Sequence, residues 1–542
     1  MSSDSDNEYI PGSSSESEGS WSSAVSGLTG SDVSEQEMDV ASTSSTKSWC
    51  PIDMNNLPSA PPCFPFVGNP GMTVNVGNTS DPLEYFQLFF DINMINNIVD
   101  ETNRFHSQRP QTSRSNWTPL TGEEFFVFIS ICILQGIIKK PEERMYWTKD
   151  AKLHTPFFGR VISRNRFRNI KKNLHFINND TYNPDTHPNP KLHKIWPIIV
   201  DLNSKFSRFY IPERDISIDE SLLLYKGRLS WKQFIPQKRS RFGVKFYNLC
   251  ESSSGYLYKF LIYTGKSTTL DDKYKNMPVS SMIVLTLIDS LLDKGYCLTT
   301  DRFYSSPQLA DYLVTCKTDF YGTVRTIRRE IPPVIHRQKL KKGETIAFQR
   351  GKLMVMKWQD KRSVALLSTV HNPAMVTTRT HAGKSVVKPQ VIVDYNDTMG
   401  GVDLLDQHLH DYAVARKGGK KYYRKIFFHL VDFCIYNSFV MYKKNGGQKT
   451  NLQFRLTLID RIIETYHTET RVTHQSRLRT IGPLRLTERH FPDFVPPTEK
   501  KAAPTRYCAV CCRKRDSTGK KKKKNTVLLY GMQCCIMCST VF

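Results

Sequence analysis

The sequence predicts an α/β protein, with a strand-rich centre entered and left through helical segments. Three observations carry that reading. Apolar/polar alternation at Ile216-Ser217-Ile218-Asp219 and at Val244-Lys245-Phe246-Tyr247 marks strands with one face in a core. A helical run over 281–293, with Met282, Leu285, Leu287, Ile288, Leu291 and Leu292, stands between strand runs at 256–263 and 296–300. Capped helix starts precede residue 214, and a long apolar helical run follows residue 412.

Taken in order, residues 1–80 are rich in Ser, Gly, Pro and acids and are expected to be disordered. A helical part, 81–214, begins where Asp81 precedes Pro82 at the first helical position, with Phe86, Phe89 and Phe90 on one face. Thr121-Gly122-Glu123-Glu124 opens an apolar helix to Gly136, and a basic amphipathic helix spans Ser163 to Phe176. A strand-rich part, 215–325, follows. Its first strand is expected to end at Asp219-Glu220, and Tyr296–Thr300 is a buried strand ending in Asp301. Short strands and basic turns over 326–388 form a β-rich insertion. In 389–412, Val391–Asn396 is expected to be extended and to turn through Gly400-Gly401 into a helix with Asp403 and Asp406 on one face. A second helical part, 413–490, starts with the basic stretch Arg416–Lys425 and continues as a helix over Ile426–Tyr442. A Pro/Lys linker at 491–506 leads to a cysteine-rich segment, 507–542.

The 542 residues carry a net charge of +25, but residues 1–50 hold nine acids against one base, Lys47. That −8 leaves about +33 on the remainder, which suits a polyanionic partner, nucleic acid first. No apolar run approaches the roughly 18 residues of a spanning helix, so no membrane partner is expected. The N-terminal residues lack the basic and apolar regions of a signal peptide, so the chain is expected to stay inside the cell, where thirteen cysteines argue against a disulfide framework. Cys250, Cys297 and Cys434 read as small buried hydrophobes, and His175 and His429 as packed helix residues.

Asp219 and Asp301 sit at strand ends and Asp403 at a helix start, 82 and 102 residues apart in turn. Three carboxylates brought from two strands and a helix could form the two-metal site of an RNase H-like fold. One metal would activate the attacking oxygen and the other would stabilise the leaving oxygen. Lys238, Arg239, Arg241 and Lys245 on one side, and Arg416, Lys417, Lys420 and Lys421 on the other, flank that site and are candidates for contacts to the DNA backbone.

The blocks SIDESLLLYKGR, TTDRFYSS and YNDTMGGVDLLDQ, in this order and joined by QFIPQKRSRFGVKFYNLCESSSGY, resemble the three acid-bearing blocks of the piggyBac transposase family. The resemblance runs from about Asp81 to the C-terminal cysteines and is greatest to the vertebrate piggyBac-derived type. It implies a cut-and-paste DNA transposase in which Asp219, Asp301 and Asp403 bind two Mg²⁺ ions and Asp406 is the further acid of the third block. It also implies an RNase H-like core with an inserted β-rich segment, flanked by a split helical dimerisation and DNA-binding domain. The partners implied are duplex DNA at transposon ends, a TTAA target and a second copy of the chain, in the nucleus. Lys520–Lys524, with Arg513-Lys514-Arg515 upstream, fit a nuclear-import patch, a DNA contact or a solvated charge run. The family usually has a Trp shortly after the third block, where Tyr422-Tyr423 stand here. A domesticated or defective DNA-binding protein that does not transpose is the alternative.

The tail departs from the family. Cys508-Ala509-Val510-Cys511 has zinc-knuckle spacing, but Cys534, Cys535 and Cys538 offer only an irregular second pair. The genetic code points to a shifted frame after Lys524. Read one nucleotide on, Met532-Gln533 and Met537-Cys538 must each encode cysteine, five positions apart as in the family, and the other codons permit the rest of its pattern. The lysine run upstream suits a one-base slip. The cysteines from 534 on are therefore expected to be accidental, Zn²⁺ not to be held, and the transposon ends to be bound poorly.

Overall fold

The computed structural model describes residues 48–109, 117–236, 241–379, 383, 385–415 and 421–467, together with the backbone of short strands at 492–494, 506–507, 524–525 and 527–529. Those last strands belong to a separate compact unit that begins at Thr468, where Pro492–Phe494 pairs with Val527–Leu529 and Arg506–Tyr507 with Lys524–Asn525. Cys508, Cys511 and the later cysteines lie outside the described residues, as do residues 1–47.

The described chain begins with two short strands, β1 (Cys50–Pro51) and β2 (Gly71–Met72). Six helices follow: α1 (Pro82–Phe89), α2 (Ile92–Ser107), α3 (Gly122–Ile137), α4 (Pro156–Val161), α5 (Arg164–Asn173) and α6 (Trp196–Phe209). The expected caps are in place. The side chains of Asp81, Thr121 and Ser163 accept from the backbone N–H of Leu83, Glu124 and Arg166. Helix α3 is buried on every side from Phe125 to Gly136, as an apolar helix must be.

Strands β3 (Tyr210–Ile211), β4 (Asp215–Leu224), β5 (Gln233–Phe234), β6 (Phe242–Glu251) and β7 (Leu257–Ile262) come next. Helix α7 (Val279–Ile288) leads to β8 (Cys297–Thr300), and α8 (Pro307–Thr315) to β9 (Asp319–Thr323). After α9 (Pro333–Arg337) come β10 (Thr345–Arg350), β11 (Leu353–Gln359) and β12 (Ser363–Ser368), then the hairpin of β13 (Met375–Arg379) and β14 (Ser385–Pro389). The chain continues as α10 (Gln390–Met399), α11 (Gly401–Asp411), α12 (Tyr422–Lys444) and α13 (Asn451–Tyr466).

Ten strands form one mixed sheet in the order β1-β10-β11-β12-β9-β8-β4-β6-β5, with β7 also paired to β6. Only β4–β8 and β8–β9 are parallel among these pairs. The insertion strands are coplanar with the rest, since β12 pairs antiparallel with β9 through Leu366↔Thr323 and Ser368↔Tyr321. One apolar core gathers Ile216, Ile218, Leu249, Leu298 and Phe320 against Val284 and Leu287 of α7 and Leu309 and Leu313 of α8. A second joins Val244, Phe246, Leu257 and Phe260 to the helices on both sides of the strand region. Phe90 of the first helical part meets Phe427 of the second, and Arg461 of α13 bonds to Asp81 at 2.9 Å.

Three expectations are corrected. Residues 48–80 are not a disordered lead. β1 pairs with β10, Phe64 N–H donates to Asp319, and the Phe66 ring packs on Tyr296. Its apolar anchors, Trp49, Phe64 and Phe66, are too few and too irregular to show a period, so composition alone reads as disorder. β4 does not end at Asp219-Glu220 but runs to Leu224, because Gly243–Glu251 of β6 pairs with it from Ile216 to Leu224. Val391–Asn396 is not extended. The Val/Ile run has strand propensity, yet it forms α10, which buries Val391 and Ile392 beside Met354, Met356 and Trp358.

Candidate active site

The site is built at the middle of the sheet. β4 and β8 run parallel with Ile218 opposite Thr300, so the next residues along, Asp219 and Asp301, are neighbours. By strand alternation Asp219 shares a face with Ser217, and Thr299 is the register partner of Ser217. Helices α10 and α11 cover that face. Thr398 of α10 lies with its hydroxyl 2.9 Å from that of Thr299. At the start of α11, a Cβ on Gly401 would stand 2.7 Å from Ser217 Oγ, so the absence of a side chain lets the helix close on the strand. Asp403 is in the first turn of α11 and Asp406 in the next.

Tyr395 of α10 lies within the field of the acids. Burial first, and then the charges of Asp301, Asp219 and Asp403, push its hydroxyl up. One phenol thus feels all three predicted acids. Asp406 is on the same side of the sheet. The Cys250 thiol, pushed up chiefly by burial, is pushed further by Asp406 and Asp219.

The Asp301 carboxyl is strongly perturbed. Burial, reinforced by the charge of Glu220, pushes it up to about 6, against an opposing bond from Phe303 N–H to Oδ1 at 2.9 Å. Glu220 points to the opposite face of β4, where the Tyr304 hydroxyl donates to it at 3.3 Å and Lys245 Nζ lies 3.8 Å away. Glu220, Tyr304 and Tyr395 were not singled out from the sequence. The available signals were adjacency, since Glu220 follows Asp219 and Tyr395 lies inside the third block.

Among the described residues, no three His, Cys, Asp or Glu side chains stand close enough together to hold a metal ion.

The basic candidates divide. Arg241 and Lys421 are exposed, whereas Lys245 is half-buried, held by Glu220 and lying over the rings of Tyr247 and Phe303 at 4.7 and 5.2 Å. Lys238, Arg239, Arg416, Lys417 and Lys420 lie outside the described residues. The tyrosines at the expected Trp position are packed within the protein. Tyr422 donates to Lys191 O at 2.8 Å and meets Trp231 edge-on, while Tyr423 is buried against His175 and Phe176.

A buried charged cluster fixes the exit from α11. Asp432 of α12 accepts from Val414 and Ala415 N–H at 3.0 and 3.2 Å, and Lys425 donates to Ala415 O at 2.7 Å. Arg455 lies 3.9 Å from Asp432. Burial pushes the Asp432 carboxyl up to about 6 despite these cations.

Residues 81–439 match the family described as Transposase IS4, and human PiggyBac transposable element-derived protein 3 is 29% identical over 401 residues. The chain belongs to the piggyBac-derived group of the IS4 transposase family. That human relative aligns over 71% of this chain and 65% of its own length, and human PiggyBac transposable element-derived protein 2 is 29% identical over 67% and 61%. The chain therefore spans a little under two thirds of the length of these two relatives. A cryo-EM structure of a piggyBac transposase synaptic complex with hairpin DNA superposes with a TM-score of 0.67 at 23% identity, covering 84% of this chain and 95% of that one. The fold of the piggyBac family is thus shared. No helix among the described residues is long and apolar enough to cross a membrane.

Proposed function

We propose that this piggyBac-family chain is a DDD DNA transposase that cleaves strands at transposon ends and transfers them to TTAA targets, as a homodimer in the nucleus. One observation carries the reading: Asp219 and Asp301 follow the paired residues Ile218 and Thr300 on two adjacent parallel strands, and Asp403 lies in the first turn of the helix packed on them. The order β7-β6-β4 antiparallel, then β8 and β9 parallel with α8 between them, supports an RNase H-like core.

The donor set fits magnesium, a hard cation that takes carboxylate oxygens. Asp219, Asp301 and Asp403 would hold two such ions, with Asp406 beside them, once their side chains swing from their present spacing to ligand distance. Bound there, the metals supply Lewis-acid activation of the attacking oxygen and charge relief at the leaving oxygen. The chain's own contribution is placement. β4 and β8 fix two carboxylates in register, and α11 brings the third down onto them. Buried Glu220 raises the negative potential that draws in a cation. Arg241 and Lys421, with Lys238, Arg239, Arg416, Lys417 and Lys420, supply charge for the DNA backbone.

Asp219→Asn, Asp301→Asn and Asp403→Asn are each expected to abolish nicking of donor DNA in Mg²⁺ while leaving the circular dichroism spectrum unchanged. A single one of them that nicks at the wild-type rate would refute the site. The second reading, a DNA-binding protein that no longer transposes, is favoured by the shifted-frame signature after Lys524. Wild-type chain that binds transposon ends but never nicks them would select it, and sequencing the locus across codons 518–542 tests the frame itself.

A further inference from the structure

Phe234 and Phe242 are 53% and 43% exposed, although both are large and apolar. They face each other across the short β5–β6 ribbon, with ring centroids 4.5 Å apart and planes 27° apart. A cross-strand aromatic pair helps to hold such a ribbon together, and that accounts for the inner faces of the two rings. It does not account for the exposed remainder of the two rings, and neither ring joins the apolar core that receives nearby Trp231 and Leu229.

The surroundings select the chemistry of what covers them. From Tyr225 to Tyr247 the chain has seven Lys and Arg and no Asp or Glu, so nothing in the ribbon repels a phosphate. Lys232 Nζ sits 5.6 Å from the centre of the Phe242 ring, and Arg241 is exposed beside it. Lys232 Nζ also donates to Gly227 O at 3.3 Å, but an apolar protein partner would offer these cations no anion. A nucleotide answers both, with a flat ring for the stack and a phosphate for the charge.

We propose that the Phe234–Phe242 pair is a stacking site for an unpaired nucleobase of DNA, with Lys232 and Arg241 serving its phosphates. The inference rests on the DNA reading above and adds to it which part of the DNA is held and where. Position supports it. Phe242 precedes Asn248, the register partner of Asp219, by six residues on β6, which is about 20 Å at ~3.4 Å per residue. A DNA strand rises by about the same amount per nucleotide, so one strand reaches both the stack and the carboxylates.

The test compares a blunt duplex with the same duplex bearing a short single-stranded overhang that carries 2-aminopurine, using the full chain. Wild-type protein is expected to bind the overhang duplex more tightly and to quench the 2-aminopurine. The double variant F234A/F242A should lose roughly tenfold or more of that preference, and the quenching, while binding the blunt duplex as before. F234L/F242L keeps apolar bulk without a ring and should lose the preference too, whereas F234W/F242W should retain it. Should the alanine and leucine variants keep the preference and the quenching, the stacking site is refuted and the DNA reading stands. Should wild-type protein bind neither duplex, the DNA reading fails and the stacking site with it. A fall in molecular mass of the alanine variant by sedimentation would make the pair a subunit interface and overturn the proposal.

Discussion

Replacing Gly401 by alanine should separate the acid-bearing helix from the sheet. The new Cβ would stand 2.7 Å from Ser217 Oγ, 2.8 Å from Glu251 O and 3.2 Å from Ser252 Cα. The hydroxyl can rotate away, but Glu251 O is backbone at the end of a paired strand. Ordinary contact starts near 3.4 Å, so the first turn of α11 must withdraw by about 0.6 Å. Overpacking of this kind costs ~1–3 kcal/mol, against which alanine's better helix propensity offsets at most about 1 kcal/mol. Stability should therefore fall modestly. Activity should fall further, because Asp403 is two residues on and moves with the turn. A misplacement of about 1 Å can cost ~10²-fold in rate, so a loss of roughly tenfold or more in donor nicking is expected. Gly400→Ala is the control: its φ is −72° and its Cβ would meet nothing within 4 Å. It should keep the wild-type urea midpoint and nicking rate. Two glycine variants that behave alike would refute the close-approach argument.

Other consequences follow from the same geometry. Burial holds the Asp432 carboxyl at about 6, against about 3.9 in an unfolded chain, so the folded state takes up a proton between those values. The associated stability is full below the lower value and is lost as pH rises through about 6, by at most about 3 kcal/mol. Asp432→Asn should remove that slope from urea midpoints measured across this range, and an Asn variant with the wild-type slope would sink the assignment. A chain starting at Gly71 loses both Phe66 against Tyr296 and the Phe64 N–H bond to buried Asp319, and should be less stable by ~2–4 kcal/mol. An unchanged urea midpoint would return residues 48–70 to the status of a loose lead. Neutralising Arg416, Lys417, Lys420 and Lys421 should flatten the salt dependence of duplex binding by up to about 0.9 for each DNA phosphate that is no longer paired with a cation, and an unaltered slope would remove that stretch from the interface.

Much of this protein was legible because its signals are local. A cap is a hydrogen bond spanning two or three residues, so Asp81, Thr121 and Ser163 announce their helices in a short window. The three acid blocks are contiguous runs, which made the family readable without any knowledge of how they meet. The ordered lead at 48–80 was not readable in this way. Its anchors bind Tyr296, Asp319 and β10, all more than 200 residues away.

By itself, then, the sequence determined which acids this transposase-family chain carries, their order, and the elements whose ends are capped locally. Only the tertiary structure decided that Asp219 lies mid-strand rather than at a tip. The extent of β4 is set by pairing with β6, and its neighbourhood with Asp301 by the parallel register with β8. Only the tertiary structure, too, turned the Val391 run into a helix and brought Tyr395 into the field of the acids and Glu220 to the opposite face of β4. The reason is physical. Register and burial are settled by partners tens to hundreds of residues away, and no local window contains those pairing energies.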